Sequence, residues 1–126
     1  MRSTTRSWFG GAAVLIGGQT VAVWLVSEAV DMRKSIDGLA QAVVDSLHRQ
    51  PLSGEVFVFG NRGRDKIKLL WWDRHGFWLA YKRLERARFR WPTVGGIIDM
   101  TELTLLLEGV DLRVPRFRRV EMQRVD

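Results

Sequence analysis

The chain has 126 residues, enough for one domain with a modest hydrophobic core. Its hydrophobic fraction of 46% and charged fraction of 27% are those of a folded globular protein. The lack of cysteine excludes disulfides, thiolate metal sites and a cysteine nucleophile. A net charge of +6 favours a polyanionic partner, DNA or RNA before an anionic membrane.

The first 19 residues read as a flexible N-terminal extension. The stretch Trp8–Val26 carries no charge, which resembles a signal peptide or a short membrane anchor. Four glycines and the pair Gln19–Thr20 interrupt it, and the β-branched run that follows is typical of a strand. We expect a buried strand over Thr20–Val26, with a membrane-anchored basic protein as the alternative.

A helix is predicted next, because apolar residues recur at helical spacing. These residues are Ile36, Leu39, Ala40, Val43, Val44 and Leu47. Ser35 or Asp31 is placed to cap the helix, and Pro51 ends it.

The centre of the chain switches to strand patterns, separated by segments of turn composition. The predicted strands are Glu55–Phe59, Lys66–Trp72, Phe77–Leu84 and Arg88–Trp91. Their connections are too short for parallel crossovers, so antiparallel pairing is expected. Lys66 and Lys68 alternate with Ile67 and Leu69, which predicts one charged, solvent-facing side of that strand.

The end of the domain is predicted to hold a short strand, Ile97–Met100, and a second helix, Glu102–Glu108, capped by Thr101. The predicted fold is therefore α+β. It has a small antiparallel sheet of about five strands, with one helix before and one helix after the central hairpins. The domain spans residues 20–112, and residues 113–126 form a basic tail.

The sequence offers no convincing catalytic, metal or cofactor site. His48 and His75 are isolated, with no acidic residue at ligand spacing. Asp31, Asp73 and Asp111 have no spacing typical of a metal-binding trio, and turn or capping roles explain each. We predict a protein that is not an enzyme and needs no cofactor.

The segment Pro51–Pro92 is the strongest functional signal, because it holds ten of the 20 Lys and Arg residues and several aromatic rings. Cations attract phosphates and flat rings stack on bases, so a nucleic-acid-binding surface is predicted. Its candidate contacts are Arg62, Arg64, Lys66, Lys68, Lys82, Arg86, Arg88 and Arg90. Trp72 or Trp78 is a candidate stacking ring, and most other rings are expected in the core. A solvated amphipathic hairpin is the alternative.

Several motifs occur together in this order: DMRK at Asp31–Lys34, PLSG at Pro51–Gly54, KLLWWD at Lys68–Asp73 and KRLE at Lys82–Glu85. From about Val21 to Leu112 the chain resembles the TnpB (second open reading frame) accessory proteins of IS-66-type bacterial insertion sequences. It departs from them in residues 1–19, Ala22, Arg74 and the basic end past Pro115.

The resemblance implies a cytoplasmic or nucleoid-associated protein that helps a separate DDE-type transposase move its element. The implied partners are DNA at the element ends, the transposase and another accessory protein, with no membrane and no small-molecule substrate. No catalytic residues come with the family. Its motif positions select these cations for DNA contact: Arg33, Lys34, Arg62, Lys66, Lys68, Lys82 and Arg83. An adaptor that docks on the transposase without touching DNA is the alternative.

Overall fold

The computed structural model describes residues 21–92 and 96–109, and its fold confirms the predicted α+β class. The predicted N-terminal extension, the basic tail and Asp111 lie outside the described residues. The strands are β1 (Val23–Leu25), β2 (Val56–Gly60), β3 (Lys66–Trp72), β4 (Phe77–Arg83) and β5 (Gly96–Ile98). The helices are α1 (Ile36–Ala42), which continues as a π-helical turn over Val43–Leu47, and α2 (Met100–Leu107).

The five strands form one mixed sheet in the order β4-β3-β2-β1-β5. The β2–β3, β3–β4 and β1–β5 pairs are antiparallel, whereas β1 and β2 are parallel. The chain between β1 and β2 contains α1 and is long enough for a crossover connection, which the prediction of antiparallel pairing did not include.

Hydrophobic clusters cover both faces of the sheet. On the first side, here the α1 face, Leu39 and Val43 pack with Phe57, Phe59 and Leu70. On the opposite side, the α2 face, Leu103 and Leu106 of α2 pack with residues from β1, β2 and β3, among them Val23, Leu25, Val56, Val58, Ile67, Leu69 and Trp71. Strand β3 is therefore buried on both faces, and the predicted solvent-facing side is wrong at its centre.

The predicted strand Arg88–Trp91 is not a strand. This segment crosses the α2 face, where Phe89 and Trp91 are 2% and 8% exposed. The backbone N–H of Phe89 donates to the carbonyl of Arg64 at 2.6 Å, which ties the segment to the turn after β2. Arginine and aromatic residues alternate here because one side of the segment is buried against the sheet and the other side is exposed.

The two helices begin differently from the predictions. Ser35 is at the N-cap position of α1, but its side chain makes no cap hydrogen bond. Helix α2 is capped by Asp99 rather than Thr101, because the Asp99 carboxylate accepts from the Glu102 N–H at 2.7 Å and Glu102 accepts from the Asp99 N–H. Neither helix, within the part of the chain that is described, has the length and apolarity needed to span a membrane.

Candidate nucleic-acid interface

Three segments that are distant in sequence meet around one cleft of about 610 Å³ on the α1 face. They are the loop before α1, the turn after β2 together with the start of β3, and the part of β4 that carries Tyr81. The charged and aromatic residues that line it are Asp31, Arg33, Arg62, Lys66 and Tyr81. We call it the cationic cleft, after Arg33, Arg62 and Lys66. The structure thus brings together three of the predicted DNA contacts.

The turn that presents Arg62 and Lys66 is held by the side chain of Asn61. Its amide oxygen accepts from the N–H groups of Asp65 and Lys66, both at 3.1 Å, and its amide nitrogen donates to Asp65 at 2.7 Å. The Asn61 hydrogen bond is the main cause of the lowered pKa of Asp65. Arg62 is exposed and has no hydrogen bond or ion pair to another residue of the described ranges. Lys66 contacts Asp65 at 3.3 Å.

The loop before α1 contributes a cation and an acid to the cleft. The Arg33 side chain is 91% exposed, and its Nη2 lies 2.7 Å from Asp31 Oδ2. The hydrogen bond from the Arg33 side chain lowers the pKa of Asp31 to about 2. Asp31 is therefore ionised at neutral pH, and it cancels part of the positive potential of the cleft.

Lys68 is not a solvent-facing cation, which corrects the sequence prediction. The residue is 8% exposed, and its ammonium group donates to the carbonyls of Met32 and Lys34 at 2.7 and 2.8 Å. Lys68 thereby fixes the loop that carries Arg33. Its position among apolar residues in the middle of the sheet was the signal for burial, because such a strand is covered on both faces.

Arg64 is also engaged in packing. Its guanidinium lies 4.4 Å from the ring centroid of Trp91, and Nη2 donates to the carbonyl of Ser27 at 2.9 Å. Loss of solvent around the group lowers the pKa of Arg64. We assign Arg64 to holding the segment 84–92 on the sheet rather than to phosphate contact.

Lys82 and Arg83 are on opposite faces of β4. Arg83 is paired with Lys66 across the ladder and so shares the α1 face with the cleft, where it binds Glu85 at 2.9 Å. Lys82 faces α2 and donates to the carbonyl of Leu107 at 2.9 Å. A cation at this position satisfies an end carbonyl of the helix. Lys82 therefore does not share the face of Lys66 and Lys68.

The remaining predicted contacts lie away from the cleft. Arg86, Arg88 and Arg90 are exposed along the segment 84–92, on the opposite side from the buried Phe89 and Trp91, and we call these three the arginine row. Lys34 is exposed beside α1 and lines a separate cavity.

Neither predicted stacking ring lines the cleft. Trp72 is half-buried against Phe77, with ring centroids 5.2 Å apart. Trp78 is on the α2 face, stacked on Trp71 with its Nε1 donating to Asp73 at 2.7 Å. The ring that does line the cleft is Tyr81, which sequence reasoning missed because its face is set by the β3–β4 register.

Metal chemistry finds no support in the described ranges. No group of three or more histidine, aspartate or glutamate side chains there is placed to hold a metal ion.

Together, the fold and the cleft define a small basic α+β protein with a mixed sheet and a surface cleft lined by three cations. The family model described as "IS66 Orf2 like protein" matches residues 21–117, and the chain belongs to this family. The resemblance seen in the sequence is thereby confirmed. The family points to an accessory protein of transposition.

Two relatives come from Sinorhizobium fredii (strain NBRC 101917 / NGR234). The uncharacterized protein y4hO is 40% identical over 106 residues, which are 82% of this chain and 92% of the relative. The uncharacterized protein y4jC is 33% identical over 92 residues, which are 71% of this chain and 79% of the relative. No solved structure matches the chain.

Proposed function

We propose that this protein is a non-catalytic accessory factor of transposition that binds DNA through the cationic cleft. One observation carries the proposal: Arg33 from the loop before α1 converges with Arg62 and Lys66, from the turn after β2 and the start of β3, on a single concave surface. Cations that neutralise phosphates release condensed counterions, which is the main source of sequence-independent affinity for DNA.

The rigidity of the cleft supports this proposal. Lys68 holds the loop of Arg33 through two hydrogen bonds, and Asn61 holds the turn of Arg62 and Lys66 through three. Binding groups that are already in position lose less entropy when a ligand binds. In this proposal the ligand is DNA at the element ends, bound in the cytoplasm or nucleoid. The transposase and a second accessory protein are the proposed protein partners.

The test measures binding of the purified chain to terminal-repeat DNA across a salt series. A phosphate-binding cleft predicts a log affinity that falls linearly with log salt, at about 0.9 per phosphate contacted on duplex DNA. The triple variant Arg33/Arg62/Lys66→Ala should reduce this slope by about 2 to 3. Undetectable binding at low salt contradicts the proposal.

A protein-interaction adaptor is the second candidate function, and β4 is the observation in its favour. It is an edge strand of the sheet, and it carries two exposed rings, Trp78 at 44% and Tyr81 at 54%. An extended segment of a partner can add to such an edge by main-chain hydrogen bonding. A protein that binds purified transposase but no DNA at any salt concentration is an adaptor.

A further inference from the structure

We propose that the cationic cleft takes single-stranded DNA, with one base stacked on the ring of Tyr81. This inference rests on the proposed DNA binding and names the form of DNA that the cleft prefers. The observation behind it is that Tyr81, a residue that is 54% exposed, lines the same cleft as the cations Arg33, Arg62 and Lys66.

The sheet and Lys68 hold this ring in place. Tyr81 is paired with Lys68 across the β3–β4 ladder, and the Lys68 ammonium lies 5.1 Å from the ring centroid. That ammonium is itself fixed by two carbonyls of the loop before α1. A cation against the ring adds a cation–π contact, and more than half of the side chain stays accessible to a ligand.

Trp78, the other exposed ring of β4, makes more contacts within the chain than Tyr81 does. Trp78 already stacks on Trp71 at 6.1 Å and donates a hydrogen bond to Asp73. The hydroxyl group of Tyr81 has no hydrogen-bond partner among the described residues. Of these two rings, Tyr81 is therefore the one whose contacts within the chain leave room for a base.

The chemistry of the lining favours a single strand over a duplex. Ala29 and Val30 add apolar surface to the cleft beside the cations and the ring. Phosphates alone gain nothing from apolar surface, whereas an unpaired nucleotide presents a phosphate and an apolar base face together. In a duplex the base faces are already stacked on one another and cannot reach Tyr81. Single-strand binding by cationic grooves with aromatic platforms follows the same rule.

The experiment compares fluorescence anisotropy of a labelled oligothymidine and a labelled duplex of the same length, titrated with the full chain. We expect tighter binding of the single strand, and Tyr81→Ala should weaken that binding by about tenfold. The duplex affinity should change by less than about twofold, and Tyr81→Phe should retain single-strand binding because the phenyl ring still stacks. Trp78→Ala is the matched control and should leave the single-strand affinity unchanged.

Three results would overturn the inference while leaving DNA binding at the cleft intact. In the first, the duplex binds as tightly as the single strand. In the second, Tyr81→Ala weakens both forms equally. In the third, Trp78→Ala weakens single-strand binding as much as Tyr81→Ala does. Failure of the wild-type chain to bind either form at low salt instead overturns the proposed function itself.

Discussion

Lys68 shows how a lysine in a basic motif can serve the fold. Its ammonium group occupies a nearly buried position and donates hydrogen bonds to two loop carbonyls. A buried polar group is tolerated only when it is hydrogen-bonded, and removing one partner leaves the other without compensation.

The first prediction concerns this residue. Lys68→Met keeps an unbranched side chain of similar size and leaves the carbonyls of Met32 and Lys34 without their donor, so it should lower the free energy of unfolding by about 1 to 3 kcal/mol. Lys66→Met, two residues earlier on the same face, should change it by less than about 0.5 kcal/mol. Urea denaturation measures both, and equal effects would contradict the assigned role of Lys68.

A second prediction concerns Asp31, whose pKa of about 2 keeps it ionised beside Arg33 at neutral pH. Asp31→Asn removes a negative charge from the cleft, and its amide oxygen can still accept the Arg33 backbone N–H. DNA affinity at low salt should rise about two- to fivefold. An unchanged affinity would place the bound phosphates away from Arg33.

The lowered pKa of Asp31 also sets how its contribution to stability changes with pH. Because the folded-state pKa of Asp31 is depressed, the stabilisation from its ion pair is present above the unfolded pKa. It is lost as the pH falls towards about 2. Between pH 5 and 8 Asp31 does not titrate, so it should give DNA binding no pH dependence in that window.

At the scale of elements, the assignment of Asp99 as the N-cap of α2 can be tested directly. Asp99→Ala removes the side chain that accepts from the Glu102 N–H and should cost about 1 kcal/mol of stability. Thr101→Ala is the matched control, because Thr101 is exposed inside the first turn and should have an effect below about 0.5 kcal/mol. Thermal unfolding distinguishes the two variants. A larger loss for Thr101→Ala would restore it as the cap.

The docking of the segment 84–92 on the sheet depends on Gly60 at the end of β2. A Cβ at this position would lie 2.5 Å from Arg64 Nη1 and 3.0 Å from the ring of Trp91. Gly60→Ala should therefore destabilise the fold by about 1 to 3 kcal/mol, because Arg64 and Trp91 must both move. At Gly76 an added Cβ meets nothing within 4 Å, so Gly76→Ala serves as the control in the same chemical denaturation series.

At the scale of the whole molecule, the helices and strands were easier to predict from the sequence than the way in which the strands pair. Periodicity, turn composition and capping residues together predicted β3 with its observed bounds, β4 to within one residue, and the presence of both helices. The parallel β1–β2 pair was not predictable in this way, because it depends on a crossover that only tertiary packing specifies.

The site was predicted in composition but not in arrangement. Charge density selected Arg62 and Lys66, and the motif resemblance added Arg33, so the cations of the cleft were found. The sequence does not state which face of the sheet each cation occupies. The ladder register puts Lys82 on the α2 face and Tyr81 beside the cleft, and burial assigns Lys68 and Arg64 to packing. These assignments depend on tertiary packing, because the elements that cover both faces of the sheet bury or engage some of its cations.

The proposal that the cationic cleft binds DNA is tested most directly by two triple variants of equal charge. The first variant, Arg33/Arg62/Lys66→Ala, removes the three cations of the cleft. The second, Arg86/Arg88/Arg90→Ala, removes the three cations of the arginine row, so the net charge falls by the same amount in both. Binding to terminal-repeat DNA is measured across a salt series. We predict that the cleft variant loses about 2 to 3 of the salt slope and at least about tenfold in affinity, with a clearly smaller loss for the arginine-row variant. Equal losses, or a larger loss for the arginine row, would contradict the account.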